Sequence, residues 1–251
     1  MEFLDLSYPG PAANLACDEA LLDLREKDGG NGILRFWQST ETFVVVGYAN
    51  KIQAEVNVAR CEADRIPIFR RCSGGGTVLQ GAGCLNYALI LQITPNSALS
   101  EISSANKYIM DRNREAIQSI AGGSLSIMVQ GHTDLAVRGS SAVFRKFSGN
   151  SQRRHKAFLL FHGTYLLNFD LELVERYLKF PSRQPDYRAD RGHGQFLMNL
   201  NLPATAVKEA MKTIWEAEYP LPAPKMATAG VAALARDKYS TPEWNLKFFH
   251  L

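Results

Sequence analysis

The sequence predicts a single α+β domain over residues 1–251, built on a mixed, largely antiparallel sheet flanked by helices. Helix-like and strand-like segments are interspersed without a regular βαβ alternation, and several strand candidates follow one another as hairpins. No shift in composition marks a domain boundary. The 251 residues are 46% hydrophobic and 21% charged, which is ordinary for a globular protein large enough to bury its own core.

The first part of the chain predicts helices and strands separated by clear turn signals. Pro9-Gly10-Pro11 precedes an apolar stripe with helical spacing, and Gly29-Gly30 ends that stripe. Runs of β-branched and aromatic residues predict buried strands. In chain order we expect a helix over 12–26, strands over 32–38 and 43–47, a helix over 54–64, a strand over 66–69, a glycine-rich loop over 70–83 and a strand over 84–93.

The remainder continues in the same mixed manner. Pro95 and Asn96 end the preceding strand, and Gly122-Gly123 ends the next helix. The segment over 181–194 is rich in proline and arginine, which indicates an ordered loop. The expected elements are a helix over 100–120, short strands near 125–129, 134–137 and 143–147, a strand over 157–169, and helices over 170–180 and 204–217.

Charge and cysteine content exclude several classes of function. The formal net charge of +3 is low for a nucleic-acid binder, so no nucleic-acid partner is expected. No apolar run approaches the roughly 20 residues that span a bilayer, and the start of the chain lacks a secretory signal, so we expect a cytoplasmic protein with no membrane partner. Four cysteines without a CxxC pair predict reduced thiols rather than structural zinc.

The most informative stretch is Arg70-Arg71-Cys72-Ser73-Gly74-Gly75-Gly76-Thr77. Successive glycines let the backbone approach a ligand closely and present N–H groups, and the arginines supply charge and planar donors for a phosphate or carboxylate. The spacing matches neither a P-loop nor a dinucleotide fingerprint. The stretch therefore predicts an anion-cradling loop, although a triple glycine alone also suits a mobile hairpin connection.

Two further stretches carry candidate chemistry. Residues 145–154, RKFSGNSQRR, crowd cations around one glycine, and a lysine held there could stabilise charge on a transferring phosphate or acyl group. Phe161-His162-Gly163-Thr164 lies within an apolar strand, where glycine often marks a close backbone approach. Taken singly, the first stretch also suits a solvated basic hairpin, and the histidine also suits a satisfied core residue.

In combination, these segments closely resemble the catalytic domain of lipoate-protein ligases, a family grouped with biotin ligases and octanoyltransferases. The resemblance covers nearly the whole chain. The matching segments, in order, are Asn14 with DEALL at 18–22, RRCSGGGTV with Leu85-Asn86, Asp134-Leu135, RKFSGNSQ, HGTYLL, and finally Glu243-Trp244-Asn245.

The resemblance implies an ATP-dependent ligase. In that family, ATP and lipoate give lipoyl-adenylate and pyrophosphate, and the acyl group then passes to a lysine of a lipoyl carrier domain. It implies Lys146 as the catalytic residue and Asp134 beside Mg²⁺. Implied nucleotide-binding residues are Arg71, Ser73, Gly74, Gly75, Gly76, Thr77, Val78, Leu79, Gln80, Asp134 and Lys146, and implied substrate-binding residues are Gly75, Lys146, Ser148, Gly149, His162, Gly163 and Thr164.

The sequence departs from the family pattern in two places. The loop continues as LQGAGC over 79–84, where many ligases have an aromatic residue, histidine, aspartate and then Gly-Asn. Residues 139–144, GSSAVF, resemble an insertion before the lysine, which indicates a longer hairpin. The first departure bears on the phosphate and metal contacts.

Three alternatives stay open. An octanoyltransferase would act through a cysteine thioester, but the family places that cysteine after the lysine segment, and no cysteine follows Cys84 here. A biotin ligase would carry a GRGRxGR-type loop, which is absent. A non-catalytic binder of lipoyl or adenylate ligands would fit the altered loop, while Lys146 and the intact SGGG argue against it.

The end of the chain predicts that a C-terminal accessory domain is absent. Only six residues follow Asn245, whereas even a small independent domain needs roughly 40–50 residues. We therefore expect either a self-sufficient enzyme or one that depends on a separate small accessory protein. The second is slightly favoured, and the accessory protein would dock near the glycine loop and the hairpin at 139–150.

Overall fold

Short apolar runs and turn residues divide the chain into strands that form two sheets. The computed structural model describes residues 1–123, 125–139, 143–222 and 230–248. Its strands are β1 Glu2–Asp5, β2 Ile33–Trp37, β3 Phe43–Val46, β4 Ile68–Arg70, β5 Val78–Gln80, β6 Cys84–Gln92, β7 Ile127–Gln130, β8 Asp134–Arg138, β9 Phe144–Arg154, β10 Phe158–Leu166 and β11 Tyr219–Pro220.

The larger sheet has the order β11-β1-β2-β6-β10-β9-β8-β7. Its neighbours are antiparallel except at one side, where β1 runs parallel to both β2 and β11. The smaller sheet has the order β4-β3-β5, with β3 parallel to β4 and antiparallel to β5. The mixed, largely antiparallel α+β class predicted from the sequence is therefore confirmed.

Helices cover both faces of the larger sheet. The long ones begin at proline or at an extended residue, and Pro11 opens the first where its missing N–H costs nothing. The α-helices are α1 Pro11–Asp28, α2 Ile52–Glu55, α3 Val58–Ala63, α4 Ile102–Ile120, α5 Glu172–Tyr177, α6 His193–Phe196, α7 Ala204–Ile214, α8 Val231–Leu234 and α9 Pro242–Asn245, with a 3₁₀ turn at Asp186–Arg188 and a π-helical segment at Ala235–Tyr239. None of the helices described is long and apolar enough to cross a membrane.

The strand β6 shows how the two faces differ. Its side chains alternate, so Leu85, Tyr87 and Leu89 pack in the cluster that contains α4 and α7. Ala88 and Ile90 lie on the opposite face, against α1. Asn86 lies on that same face by the alternation, beyond the end of the apolar packing, and there the smaller sheet covers an open space rather than a filled core.

Several element boundaries differ from those expected. The helix predicted over 54–64 is two short helices, because Val56 leaves the helix to form a bridge with Leu178. The glycine-rich loop contains the strand β5, which pairs with β3. The predicted strand over 143–147 continues to Arg154 as β9, and β1 and β11 were not predicted. The strand predicted over 157–169 ends at Leu166, and the last two predicted helices are shorter.

Candidate active site

A cavity of about 980 Å³ opens between the two sheets on the face that carries α1. Its volume lies within the range of sites for small molecules and cofactors. One side is formed by the glycine loop and β5, the floor by β9, β10 and β6, and the far wall by the segment that follows α5. The loop predicted over 181–194 therefore borders the cavity.

Lys146 reaches the cavity because β9 contains a β-bulge. Between two adjacent ladder positions, β8 advances by one residue, from Leu135 to Ala136, while β9 advances by two, from Ser148 to Lys146. Phe147 is therefore an extra residue, and side chains three positions apart come to share a face. Gly149 completes the arrangement, since a Cβ there would lie 2.8 Å from the Lys146 Nζ.

Asp134 lies beside this lysine at the start of β8. Its Oδ1 is 2.8 Å from Lys146 Nζ, and its Oδ2 accepts a hydrogen bond of 2.8 Å from the Tyr187 hydroxyl. Burial, followed by the Asp134 charge, raises the pKa of Tyr187 far above its usual value, so the phenol is a donor at neutral pH. Lys146 thus enters the cavity as an ammonium with one carboxylate partner.

The glycine loop presents backbone N–H groups and uses its arginines to shape itself. Gly74, Gly75 and Gly76 are exposed, and no hydrogen bond from the backbone N–H groups of 74–77 to another described residue is present. Arg71 donates to the carbonyl oxygens of Gly74 at 2.5 Å and Gly76 at 2.7 Å. Burial lowers the pKa of Arg71 to about 10, which leaves it charged at neutral pH.

Arg70 has a related structural role. Its guanidinium donates to the carbonyl oxygens of Gly47, Tyr48 and Asn50 at 2.9–3.0 Å. The C-terminal segment holds its backbone, because Trp244 Nε1 donates to the Arg70 carbonyl at 2.8 Å. From the sequence we predicted that both arginines face an anionic ligand. In the structure their donors are largely occupied by loop carbonyls, which fixes the direction of the glycine-loop N–H groups instead.

A buried network joins the glycine loop to the core. The His162 Nδ1 lies 3.0 Å from Asp18 Oδ2, and its Nε2 lies 2.5 Å from the Ser73 hydroxyl. Because an ionised carboxylate only accepts, Nδ1 donates to Asp18, and Nε2 is left to form the hydrogen bond with the Ser73 hydroxyl. Asp18 also forms an ion pair with Arg35, which is fully buried. Burial alone would raise the pKa of Asp18, but Arg35 and His162 outweigh it and hold that pKa below its usual value.

A family model described as "Lipoyl protein ligase A/B catalytic domain" matches residues 10–216. The chain belongs to this lipoyl ligase A/B family. The resemblance deduced from the motifs is thereby confirmed, and the match includes the glycine loop, the bulged strand β9 and the His162 segment.

Relatives within the family carry two different activities in their names. The octanoyltransferase LipM of Geobacillus kaustophilus is 26% identical, over 98% of this chain and 97% of the relative. A protein of Mycoplasma genitalium named "Probable lipoate-protein ligase A" is 29% identical, over 94% of this chain and 68% of the relative. The chain is thus a lipoate ligase or octanoyltransferase type of enzyme.

Solved structures share the fold over the whole chain. A structure from Thermoplasma acidophilum, described as a bi-partite lipoate protein ligase and its E2 lipoyl domain, has a TM-score of 0.81 at 22% identity and covers 100% of this chain and 97% of its own. A lipoate-protein ligase A bound with ATP has a TM-score of 0.78 at 23% identity, with 99% of each chain covered. At these identities the likeness establishes the fold alone.

The cavity brings together nearly all residues that the lipoyl ligase motifs predict. Ser73 and Gly74 are the exceptions, since neither borders it; Ser73 is buried behind the loop, where it contacts His162. The predicted residues that line the cavity are Arg71, Gly75, Gly76, Thr77, Val78, Leu79, Gln80, Asp134, Lys146, Ser148, Gly149, His162, Gly163 and Thr164. The inserted residues 140–142 lie outside the described part of the chain.

The predicted Mg²⁺ fits this site only together with a nucleotide. Among the described residues, no three His, Cys, Asp or Glu side chains are gathered to hold a metal ion. Mg²⁺ commonly takes one or two protein carboxylates and fills its remaining positions with water and substrate phosphates. Asp134 can supply that one carboxylate, and when bound the ion would offset phosphate charge.

The four cysteine thiols lie outside the cavity that holds Lys146 and Asp134. Cys17, Cys61, Cys72 and Cys84 are all at most 3% exposed, and none belongs to the described residues that line the cavity. Burial raises the pKa of Cys17 and Cys61 to about 11 and of Cys72 and Cys84 to about 12. Because the thiolate is the nucleophilic form, these raised pKa values keep the four thiols protonated at neutral pH and disfavour nucleophilic attack by them.

Sequence reasoning missed the residues that support the predicted ones. Arg35 and Tyr187 were not singled out, and Asp18 was recognised only as part of a motif. An arginine within an apolar strand such as ILRFW is a usable signal, because a fully buried cation requires a partner. Tyr187 offered no such signal, since only the folded loop brings it to Asp134.

We predict that Asp18→Asn lowers the free energy of unfolding by about 3–5 kcal/mol at neutral pH, because Arg35 is left buried without its counter-charge. The pKa of Asp18 is lower in the folded than in the unfolded chain, so its contribution is complete above the unfolded value near 3.9 and is lost as the pH falls through the folded value. Urea denaturation of both proteins between pH 7 and pH 3 measures this difference.

The difference in the free energy of unfolding between wild type and Asp18→Asn should become smaller only below about pH 4. Asp23→Asn is the matched control on α1, because Asp23 is half-exposed and lies 3.8 Å from His155. That substitution should cost less than about 1 kcal/mol. A gap for Asp18→Asn that stays constant down to the lowest pH would contradict the ion-pair assignment.

Proposed function

We propose that the chain is an ATP-dependent lipoate-protein ligase. Lipoate would be activated by attack of its carboxylate oxygen on the α-phosphorus of ATP, with release of pyrophosphate. A lysine amine of a lipoyl carrier domain would then attack the acyl carbonyl, with release of AMP. The observation that carries this proposal is a cavity centred on an ammonium, Lys146, from which every cysteine thiol is excluded.

Lys146 suits the first step because both reactants are anions. A carboxylate approaches a phosphate only if their repulsion is offset, and a fixed ammonium does this without reorganisation. The Asp134 Oδ1 lies 2.8 Å from Nζ, which orients the ammonium. A phosphate or carboxylate arriving on the glycine side would share the ammonium with Asp134.

The lining of the cavity suits both substrates. Lys179 and Arg183 border the cavity and are exposed, which favours a polyphosphate. Leu15, Val45 and Leu79 also border it, which favours an acyl chain. This mixture of cationic and apolar side chains supports a cavity that holds a nucleotide together with an acyl group.

The cysteine-dependent octanoyltransferase is the second candidate, because the LipM relative spans nearly the whole chain. That mechanism requires an accessible thiolate, and all four thiols here are buried with raised pKa values. An ATP–pyrophosphate exchange assay with lipoate and with octanoate separates the two. Exchange supports the ligase, whereas acyl transfer from a carrier protein without exchange supports the transferase. The absence of both activities, together with binding of the acid, would favour a non-catalytic binder.

We predict that Lys146→Ala lowers the rate of ATP–pyrophosphate exchange by about 10²–10³, because a charge-stabilising cation is lost at the phosphate. Lys156→Ala is the matched control, since Lys156 is exposed at the turn between β9 and β10, away from the cavity. Urea denaturation checks that both variants fold. Near-normal exchange by a well-folded Lys146→Ala protein would reject the role assigned to Lys146.

We predict that replacing the four cysteines by Ser or Ala, singly and together, leaves turnover within about tenfold of wild type after correction for stability, because no thioester forms. Mass spectrometry of the wild-type protein incubated with acyl donor provides an independent readout. An acyl group trapped on any cysteine, with activity lost on replacement of that cysteine, would establish the transferase.

We also predict that a separate small protein is needed for full acyl transfer. The Thermoplasma acidophilum neighbour, described as bi-partite, supports this idea. A closing element that excludes water often completes an adenylating site. The measurement is lipoylation of an acceptor lipoyl domain by the purified chain with ATP and Mg²⁺. Adenylate formation without transfer would agree with the prediction, and full turnover without added protein would refute it.

A further inference from the structure

A glycine in the middle of the larger sheet lets two polar side chains meet across it. Gly163 of β10 is paired in register with Tyr87 of β6 on one side and with Asn150 of β9 on the other. Residues at one level share a face, which here is the face that carries α4. The Tyr87 hydroxyl donates across the glycine to Asn150 Oδ1 at 2.6 Å. A Cβ at position 163 would lie 1.6 Å from that oxygen, so no larger residue fits beside Asn150.

A buried chain of hydrogen bonds fixes the direction of the Asn150 amide. Trp215 Nε1 donates to Asn113 Oδ1 at 2.9 Å, and Asn113 Nδ2 donates to the Tyr87 hydroxyl at 2.7 Å. At the other end, Asn150 Nδ2 donates to the carbonyl oxygen of Thr133 at 2.6 Å. An indole N–H only donates and a backbone carbonyl only accepts, so each bond between these ends has one possible direction. Burial raises the pKa of Tyr87 well above its usual value, so its hydroxyl remains a donor.

Asn150 and Thr133 hold each other where the strand ladder stops. The β8–β9 ladder begins at Leu135, opposite Ser148, and the same register continued by two residues places Thr133 opposite Asn150. There the Asn150 amide donates to the Thr133 carbonyl oxygen, and the Thr133 hydroxyl donates to the Asn150 carbonyl oxygen at 2.8 Å. These two bonds form a clamp that extends the pairing of the strands to the turn between β7 and β8.

The clamp lies directly beside the ion pair of the cavity. Thr133 precedes Asp134, and Asn150 follows Gly149, above which the Lys146 Nζ lies. The register position between them places Asp134 opposite Gly149, and a Cβ on that glycine would lie 3.8 Å from Asp134 Oδ1. The clamp therefore sets the position of the carboxylate relative to the strand that carries the ammonium.

We propose that Asn150 is a positioning residue, which clamps Thr133 so that Asp134 is held at Lys146, and that glycine is required at position 163 to admit its side chain. The inference rests on the proposed function in that Lys146 is the group that the clamp serves. It gives Gly163 a role inside the protein, whereas the family resemblance implied a contact with the substrate. A misplacement of about 1 Å at a catalytic group can lower a rate by about 10²-fold, so loss of the clamp should slow turnover in a folded protein.

The kinetics of ATP–pyrophosphate exchange by the full chain test the positioning role. Asn150→Ala removes the clamp, and Asn150→Asp keeps the acceptor for the Tyr87 hydroxyl but places an oxygen where the donor to Thr133 was. Both changes should lower kcat by about tenfold or more and alter KM for lipoate by less than about threefold, because an interaction that serves the transition state acts on kcat.

Asn199→Ala is the matched control for these variants. The Asn199 amide forms the same kind of reciprocal pair with the backbone of Phe169, at 2.8 and 2.9 Å, and is not among the described residues that border the cavity. This change should lower the melting temperature and leave kcat within about twofold of wild type. An equal loss of kcat in Asn199→Ala and Asn150→Ala would show general destabilisation and overturn the positioning role.

Thermal melting without any substrate tests the requirement for glycine. Gly163→Ala should lower the melting temperature by about 5 °C or more, because the new methyl group overlaps Asn150 Oδ1. In the Asn150→Ala background the same change should cost less than half as much, since the nearest remaining atom is the Gly149 carbonyl oxygen at 2.9 Å. Changes at sites that do not touch are additive, so equal losses in both backgrounds would overturn the role assigned to Gly163.

The two proposals fail in different ways. Exchange within threefold of wild type by a folded Asn150→Ala protein overturns the positioning role and leaves the ligase standing. A wild-type protein without exchange refutes the ligase, and the same variants are then compared in acyl transfer from a carrier protein. In that assay a tenfold loss supports the positioning role, and an unchanged rate overturns it. The comparison of melting temperatures requires neither activity.

Discussion

The arrangement of the site depends on one charge in the core, the carboxylate of Asp18. Arg35 is fully buried beside it and also donates to backbone and side-chain oxygens of Asn14, so helix α1 and strand β2 are locked together by ionic hydrogen bonds. Loss of either charge would strand the other in a low-dielectric interior. The second oxygen of Asp18 orients His162, which forms a hydrogen bond with Ser73. Ser73 in turn accepts from Arg71, and Arg71 holds the carbonyls of the glycine loop. The N–H groups of that loop are therefore positioned from the core outward.

The lysine is positioned by a different device, the irregularity in β9. In a regular strand, Lys146 and Gly149 would face opposite sides of the sheet, because residues three positions apart always do. The ammonium could then never lie over Gly149. The extra residue, Phe147, packs into the core cluster beneath α4 while the neighbouring Lys146 faces the cavity. Glycine at 149 then leaves the space that the ammonium occupies. The bulge and the absence of a side chain at Gly149 thus allow a strand of the sheet to hold one cation in the cavity.

The fold class and most of the cavity lining were predictable from the sequence, and the supporting contacts were not. Apolar periodicity located β6 and α4 because both bury continuous apolar surface. It failed for β9, whose residues after Phe147 are polar on both faces, since one face borders the cavity. It also failed at Val56, where a long-range bridge to Leu178 interrupts a helix that local propensity favours. The motif resemblance singled out Lys146 and His162, which the structure brings to one cavity. Hydrogen bonds such as that from Tyr187 to Asp134 join residues distant in sequence and carry no local pattern.

The departures from a well-packed interior are concentrated around the cavity. Exposed glycines, a bulged strand, unpaired buried amides and an ion pair that opens to the cavity all lie there, and of these the unpaired amides carry a clear cost in stability. Away from the cavity, the same sheet packs Leu85, Leu89 and Leu159 against helices in the ordinary way. The cysteines follow the second pattern rather than the first, since all four are buried as apolar residues. The relatives of this chain are named both for octanoyl transfer and for lipoate ligation. The exposed glycines, the bulge and the ion pair all lie around the Lys146 ammonium, and none of them lies at a cysteine thiol.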